Sequence, residues 1–274
     1  RSPSLAGVMT ENPSVVAGQV TPPEGGDRLW FGPLGVGAEG TDPGLVTSQT
    51  SDTSNQQILI DTASTRLRRM RSAVLTAARL HCQEVPRWRV AMLTPTYAKV
   101  GGWSARHISD LLKSIRNWMA RRGHDLRYTW VMELQERGAP HYHILIWLPR
   151  GLSLPKPDKQ GWWRHGSTKI EWARNAVGYI AKYASKVASK AGGKIPRGAR
   201  IHGAGGHTGA ALREFRWWKL PRWLRETVSA DDCCSRFVGG GWLSRLTGEL
   251  FESPWRVFFS RGSVYLVPKA SLVA

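Results

Sequence analysis

Two short stretches of the sequence carry residue types that can do chemistry together. The first is ELQERGAPHYH, residues 133 to 143. Two residues apart on a strand, His141 and His143 project from the same face, because side chains alternate with a period of two. A hairpin centred near Gly138 sets Glu133 beside His143, since each then lies five residues from the centre. Two imidazoles and one carboxylate with open positions hold a divalent ion and leave room for substrate oxygens. With a phosphate as the remaining ligand, the ion expected is Mg2+ or Mn2+. The competing reading of an HxH strand is two polar residues on a solvated face, and the carboxylate at the matched position favours the metal. His81, His107, His124 and His165 have no such partners in the sequence and are assigned to the surface.

The second stretch is GYIAKYASK, residues 178 to 186. On a helix of 3.6 residues per turn, Tyr179, Lys182, Tyr183, Lys186 and Lys190 form one stripe, with Val177, Ile180, Ala184 and Val187 roughly opposite. A tyrosine can act as a covalent nucleophile, and a lysine three residues on can lower its pKa or neutralise a reacting phosphate. Taken alone, the same pattern fits a basic amphipathic helix with two tyrosines at its edge.

These residues must be held by a domain of ordinary size, since the chain has 274 residues. Its 39 Lys and Arg outnumber its 20 Asp and Glu, a net charge of +19 that calls for a polyanionic partner. The excess lies wholly beyond residue 65, because the stretch before it has two basic residues, Arg1 and Arg28, against seven acidic ones. Residues 1 to 60, rich in Gly, Pro, Ser and Thr, read as a flexible acidic leader. Cys82, Cys233 and Cys234 suggest neither a disulfide framework nor a thiolate zinc site, so a reducing cytoplasm fits best. No apolar run is long enough to span a membrane, no membrane partner is expected, and no secretory signal is readable.

Periodicity predicts a basic helix from Thr62 to Gln83, capped by Asp61 or Thr62, then a strand from Arg87 to Tyr97 whose Pro95 places its end at an edge or exit. Ser104 is expected to cap a helix with Ile108, Leu111, Leu112, Ile115, Trp118 and Met119 on its buried face, and Gly123 to stop it. Tyr128–Leu134 and His141–Leu148 read as a hairpin, Thr168–Ala191 as a helix, and 192 to 209 as a basic Gly-rich loop. In EFRWWKLPRWLRE, residues 214 to 226, cations alternate with aromatics. Trp217, Trp218 and Trp223 among Arg213, Arg216, Lys219, Arg222 and Arg225 suit stacking of unpaired bases beside a phosphate-tracking groove, or burial as an aromatic core. The fold expected is α+β, an antiparallel sheet of about five strands covered on one face by helices, over 61 to 226. Residues 227 to 274 form a C-terminal extension with strands near Trp255–Phe259 and Ser263–Val267. No GxxxxGK[ST] motif is present, so no ATP-driven helicase is expected within the chain.

The ELQERGAPHYH and YIAKYASK segments resemble the HUH and YxxK motifs of the HUH endonuclease superfamily, in particular the rolling-circle replication initiators of filamentous and other small phages and of plasmids. MLTPTY, residues 92 to 97, is similar to the first motif of that family, a strand ending in threonines, but Pro95 departs from the usual apolar or Thr residue. The resemblance spans roughly residues 88 to 225. It implies an HUH/RRM-like sheet and a two-tyrosine nickase of single-stranded DNA at a replication origin. Glu133, His141 and His143 would hold the metal, and Tyr179 would attack first, leaving a 5′-phosphotyrosine and a free 3′-OH. Tyr183 would take part in the later strand transfer that rejoins the strand, while Lys182 and Lys186 contact the phosphate. Implied DNA contacts are Lys190, Arg213, Arg216, Trp217, Trp218, Lys219 and Arg222. A host polymerase and helicase are the implied partners, in the cytoplasm of a bacterial host. HUH relaxases and single-strand transposases share this chemistry. From other classes, a zinc hydrolase with a His2Glu site and a non-catalytic single-stranded DNA-binding protein stay open.

Overall fold

The computed structural model describes residues 57–189, 195–196, 198–238 and 240–269. The leader lies outside them up to residue 56, as does Lys190; Ile58–Ile60, at the expected end of the leader, forms the short strand β1. Asp61 then starts helix α1, Thr62–Glu84, its Oδ1 accepting the N–H groups of Ala63 at 2.9 Å and Ser64 at 3.0 Å. These are two of the four donors that the first turn of a helix leaves unpaired.

Next along the chain come β2 (Arg89–Tyr97), helix α2 (His107–Ala120), β3 (Arg127–Leu134), β4 (Pro140–Leu148), β5 (Gly166–Trp172), helix α3 (Ala176–Ser189) and β6 (His202–Gly205). The strands pair antiparallel in the order β5-β2-β4-β3-β6, an α+β fold built on a five-stranded sheet. Alternation places Thr94, Thr96, Glu133, His141, His143 and Trp147 on one face, and Tyr97, Trp130, Tyr142 and Ile144 on the other.

Helices cover both faces, not one as expected. On the histidine face, the ring of His81 from α1 lies 4.6 Å from that of Trp147, and Tyr183 from α3 stacks on His143. At the start of α2, His107 Nδ1 is 3.2 Å from the Tyr97 hydroxyl, and just before it Trp103 Nε1 donates to the Tyr142 hydroxyl at 2.7 Å. The physical reason lies in β4, which is buried at every position except His141 and so needs cover on both sides. The apolar stripe of α2 is buried as expected. Its start is later, because Ser104 caps the preceding turn, with Oγ accepting from Arg106 N at 3.4 Å, and leaves the helix to begin at His107.

Three further departures bear on the site. The helix expected from Thr168 begins only at Ala176, and Thr168–Trp172 belongs to β5, where β-branched and aromatic residues alternate with Lys169 and Glu171. Pro95 sits in an interior strand. Its missing N–H is accommodated because pairing of β2 with β4 breaks between Leu93 and Thr96, while pairing with β5 runs unbroken from Ala91 to Tyr97. Within the expected 192–209 loop, β6 adds an edge to β3.

Beyond β6 follow α4 (Gly209–Trp217), α5 (Arg222–Arg225) and two small sheets. One joins β7 (Ser235–Phe237), β8 (Gly241–Leu243) and β9 (Leu250–Phe251); the other joins β1, β11 (Ser263–Pro268) and β10 (Trp255–Ser260). Among the described residues no helix is long and apolar enough to cross a membrane.

Candidate active site

The register of the central hairpin decides which groups meet. Glu133 pairs directly with His141, and Val131 with His143, so the centre is Arg137 and not Gly138. The loop runs from Gln135 to Ala139, closed by Gln135 N–H to Ala139 O at 2.9 Å and Gly138 N–H to Gln135 O at 2.8 Å. Gly138 takes φ 81°, the left-handed position that ends a three-residue hairpin turn. Pairing therefore puts Glu133 beside His141, yet its Oε2 still reaches His143 Nε2 at 3.1 Å on the diagonal.

Both of those side chains are buried. Burial pushes the His143 pKa down to about 3, helped by nearby His141 and Lys186, so the ring is neutral near pH 7 and able to act as a ligand. Its Nδ1 is buried without a hydrogen-bond partner among the described residues. His141 is half-buried; its Nδ1 lies 3.1 Å from Thr96 Oγ1 and 3.5 Å from Gln135 Nε2. The two imidazoles are 4.5 Å apart at 70°. A neutral buried imidazole with an orphan nitrogen, a second imidazole and a buried carboxylate make a donor set that fits a divalent ion.

Helix α3 brings the tyrosines to this face. Asn175 Oδ1 accepts Gly178 N–H at 2.8 Å and so caps the helix, while Ile180, Ala184 and Val187 are buried against the core. That docking lays the Tyr183 ring on His143, with centroids 3.4 Å apart and planes within 17°. Tyr179, one turn earlier, is 36% exposed. Above the Tyr183 ring stand Lys186 Nζ at 5.5 Å and Lys182 Nζ at 6.0 Å. Burial raises the Tyr183 pKa, with Glu171 and Glu133 adding to it and Lys169 opposing. Lys169 and Glu171, paired at 2.9 Å on β5, were not expected here; the alternation of Thr168, Ile170 and Trp172 was the signal that could have found them.

The basic segment is distributed differently. Trp217 donates Nε1–H to Val228 O at 2.8 Å and packs with Trp223 on Leu220, Leu224 and Val228, the arrangement of an aromatic core. Trp218 donates to Glu214 at 3.2 Å, beneath the guanidinium groups of Arg225 at 4.9 Å and Arg79 at 5.5 Å. Arg213 pairs with Asp231 at 2.7 Å and Arg222 with Glu226 at 2.9 Å, whereas Lys219 lies 4.9 Å over Phe215 and Arg216 is exposed.

The histidines assigned to the surface are otherwise engaged. His107 and His165 stack at 3.6 Å, and His124 lies edge-on to Trp88 at 5.8 Å. His81 is fully buried because it faces inward from the last turn of α1. With Glu84 and His207 it forms a group whose ligand atoms all lie within 4.8 Å of one another, which could hold a metal ion.

The described domain is thus an α+β sheet protein with a His/Glu cluster on its central hairpin and a Tyr/Lys helix laid across it. Residues 90–188, 99 of the 274, match the family described as replication-associated protein, of the ORF2 and gene 2 protein type. The match runs from β2 into α3, takes in Glu133, His141, His143, Tyr179 and Tyr183, and supports a replication initiator of the Rep type, acting in DNA replication. No curated protein and no solved structure matches the chain.

Proposed function

We propose that the protein nicks single-stranded DNA at a replication origin by tyrosine transesterification and later rejoins the strand, as the resemblance to HUH endonucleases implies. The observation that carries this reading is the stacking of Tyr183 on His143, whose Nε2 is 3.1 Å from Glu133. Glu133, His141 and His143 would hold Mg2+ or Mn2+, which supplies polarisation of the scissile phosphate and stabilisation of the charge on its oxygens.

The chain's own residues do the rest. The Tyr183 oxygen bonds to phosphorus as the bond from phosphorus to the 3′ oxygen breaks, and the phenolic proton is balanced by the one gained at the new 3′-OH. Lys186 and Lys182 offset phosphate charge next to the ring. The 3′-OH is then available to a host polymerase. Because the phosphodiester energy stays in the tyrosine linkage, attack by a 3′-OH reverses the step and closes the strand. Spacing alone assigns the first cut to Tyr179; the stack on His143 leads us to assign it to Tyr183, with Tyr179 receiving the second end.

The test is covalent capture. An origin oligonucleotide labelled at its 3′ end should become joined to the protein in Mg2+ or Mn2+ and not in EDTA, with the label on the tyrosine peptide of α3. Binding without any adduct, under conditions where the DNA is bound stoichiometrically, would leave a non-catalytic DNA-binding protein.

A further inference from the structure

A second cluster with metal-ligand chemistry lies on the same face of the sheet, toward the other end of β4. His81 and Glu84 face inward from the last turn of α1, and His207 follows β6 in the connection to α4. Glu84 Oε2 is the meeting point: His207 Nδ1 lies 3.1 Å from it and His81 Nδ1 3.6 Å. The other carboxylate oxygen is held by Thr208, whose N–H and hydroxyl approach at 3.2 Å and 3.1 Å.

A second observation points independently to a missing partner. His81 is 0% exposed, and neither of its ring nitrogens has a well-aligned hydrogen-bond partner, although the Tyr128 backbone lies nearby. His207 Nε2 is buried and unpartnered as well. Buried polar nitrogens are satisfied in the great majority of proteins, so three orphans in one pair of imidazoles call for an explanation. Phe215 and Trp147 pack against the two rings and shield them from water.

We infer that His81, Glu84 and His207 form a structural site for a borderline-soft divalent cation of the Zn2+ type, distinct from the Glu133–His141–His143 cluster. Two neutral imidazoles and a carboxylate are the donors such ions take. Hard, oxygen-seeking Mg2+ is a poor match. Arg127 Nη1, 2.8 Å from Glu84 Oε2, shares the carboxylate and limits the positive charge the site tolerates, which favours one ion and no more. The two rings lie face to face, 3.7 Å apart and within 14°, so uptake turns at least one of them until both nitrogens converge. The ion would pin the β6–α4 connection to the end of α1, tying down Thr208 and the start of α4. Trp147 is four residues from His143 along β4, about 13 Å at the rise of a strand, so the two sites do not share an ion.

The inference does not rest on the proposed nicking, and its test removes the other cluster. The His141→Ala/His143→Ala protein, stripped with chelator and confirmed folded by circular dichroism, is titrated with Zn2+, and both bound metal and melting temperature are followed. Expected are one tightly held equivalent and a rise in melting temperature of several degrees, because an ion bound only by the folded state stabilises it. Adding His207→Ala should abolish both, and Glu84→Gln should weaken both. Absence of bound zinc in the folded double variant overturns the inference. So does an equivalent that persists when His207 is also replaced, which would place the ion elsewhere, at the cysteines for example. If the triple variant does not fold, Glu84→Gln in the double-variant background decides alone, and unchanged zinc affinity there counts against the site.

Discussion

Replacing Tyr183 by phenylalanine and by alanine separates chemistry from packing. The ring lies 3.4 Å from His143 and is half-buried, while its hydroxyl makes no hydrogen bond among the described residues. Alanine removes the stack, worth about 0.5–1.5 kcal/mol beyond area, and part of the burial that makes full aromatic truncation in a core cost about 3–5 kcal/mol. For a half-buried ring the total is about 2–3 kcal/mol. At about 2–4 °C per kcal/mol for a domain of this size, Tyr183→Ala should lower the melting temperature by about 4–12 °C. Tyr183→Phe keeps the ring and sheds a hydroxyl whose ionisation burial opposes, so its melting temperature should stay within about 2 °C of the parent. Both variants should lose most of the first-turnover adduct with a 3′-labelled oligonucleotide, and any residue of it should map to Tyr179. A phenylalanine variant that forms the adduct at the parental rate refutes the assignment of the nucleophile. One that melts as low as the alanine variant refutes the packing argument.

His141→Ala/His143→Ala and Glu133→Gln should each abolish cleavage while retaining most of the affinity for single strands, since that affinity comes from distributed cations and stacking; cleavage by either variant in EDTA would refute the metal assignment. On acidification, stability should fall from about pH 6.5 downward, because unfolded histidines gain protons there while buried His81 and His143, both held down to about 3, do not. Melting temperatures that stay flat between about pH 7 and 4 would show that neither ring is buried neutral. Gly206→Ala should cost stability, since φ is +93° and an added Cβ would collide with the Leu126 carbonyl and lie 2.7 Å from Arg127 Cα; an unchanged melting temperature would contradict this close approach. Residues 1 to 56 should be dispensable for nicking, but cutting further, to Thr62, removes the strand that pairs Ile58–Ile60 with Val264–Leu266 and should lower the melting temperature, a comparison two truncations settle.

Legibility in the sequence followed the range of the interactions. The face shared by His141 and His143 needs only the two-residue period of a strand, and the buried stripe of α2 only the helical period, so both were readable. The helix carrying Tyr179 and Tyr183 was readable too, but its start was not. Thr168–Trp172 has helix-compatible residues, and what makes it a strand is pairing with β2, more than seventy residues earlier in the chain. His81 shows the same limit from the other side. Alone in a basic helix it reads as a surface residue, and only the return of the chain at His207 makes it part of a buried cluster. Pro95 misled for a different reason. A proline is excluded from a central strand only on the side where its N–H would have paired, and the sequence does not say which neighbour that side faces.

The loop between Glu133 and His141 shows how a few residues can hold the site. Gly138 at φ 81° fixes the turn, and the turn fixes the register that places Glu133 opposite His141. Arg137, at the tip, then reaches across to the end of β2: its guanidinium donates to the carbonyl of Tyr97 and, at 3.1 Å, to that of Ala98, while Nε donates to Gln135 Oε1 at 3.0 Å. With its oxygen so engaged, Gln135 turns its amide nitrogen toward His141 Nδ1, which on its other flank meets Thr96 from the same end of β2. One arginine thus ties the strand that supplies Thr96 to the hairpin that supplies Glu133 and His141, through backbone carbonyls that no side-chain substitution on β2 can remove. It follows that the ligand geometry depends on the hairpin tip as much as on the ligands, and that a lysine at 137, with a point charge in place of a fork, cannot span Tyr97, Ala98 and Gln135 at once.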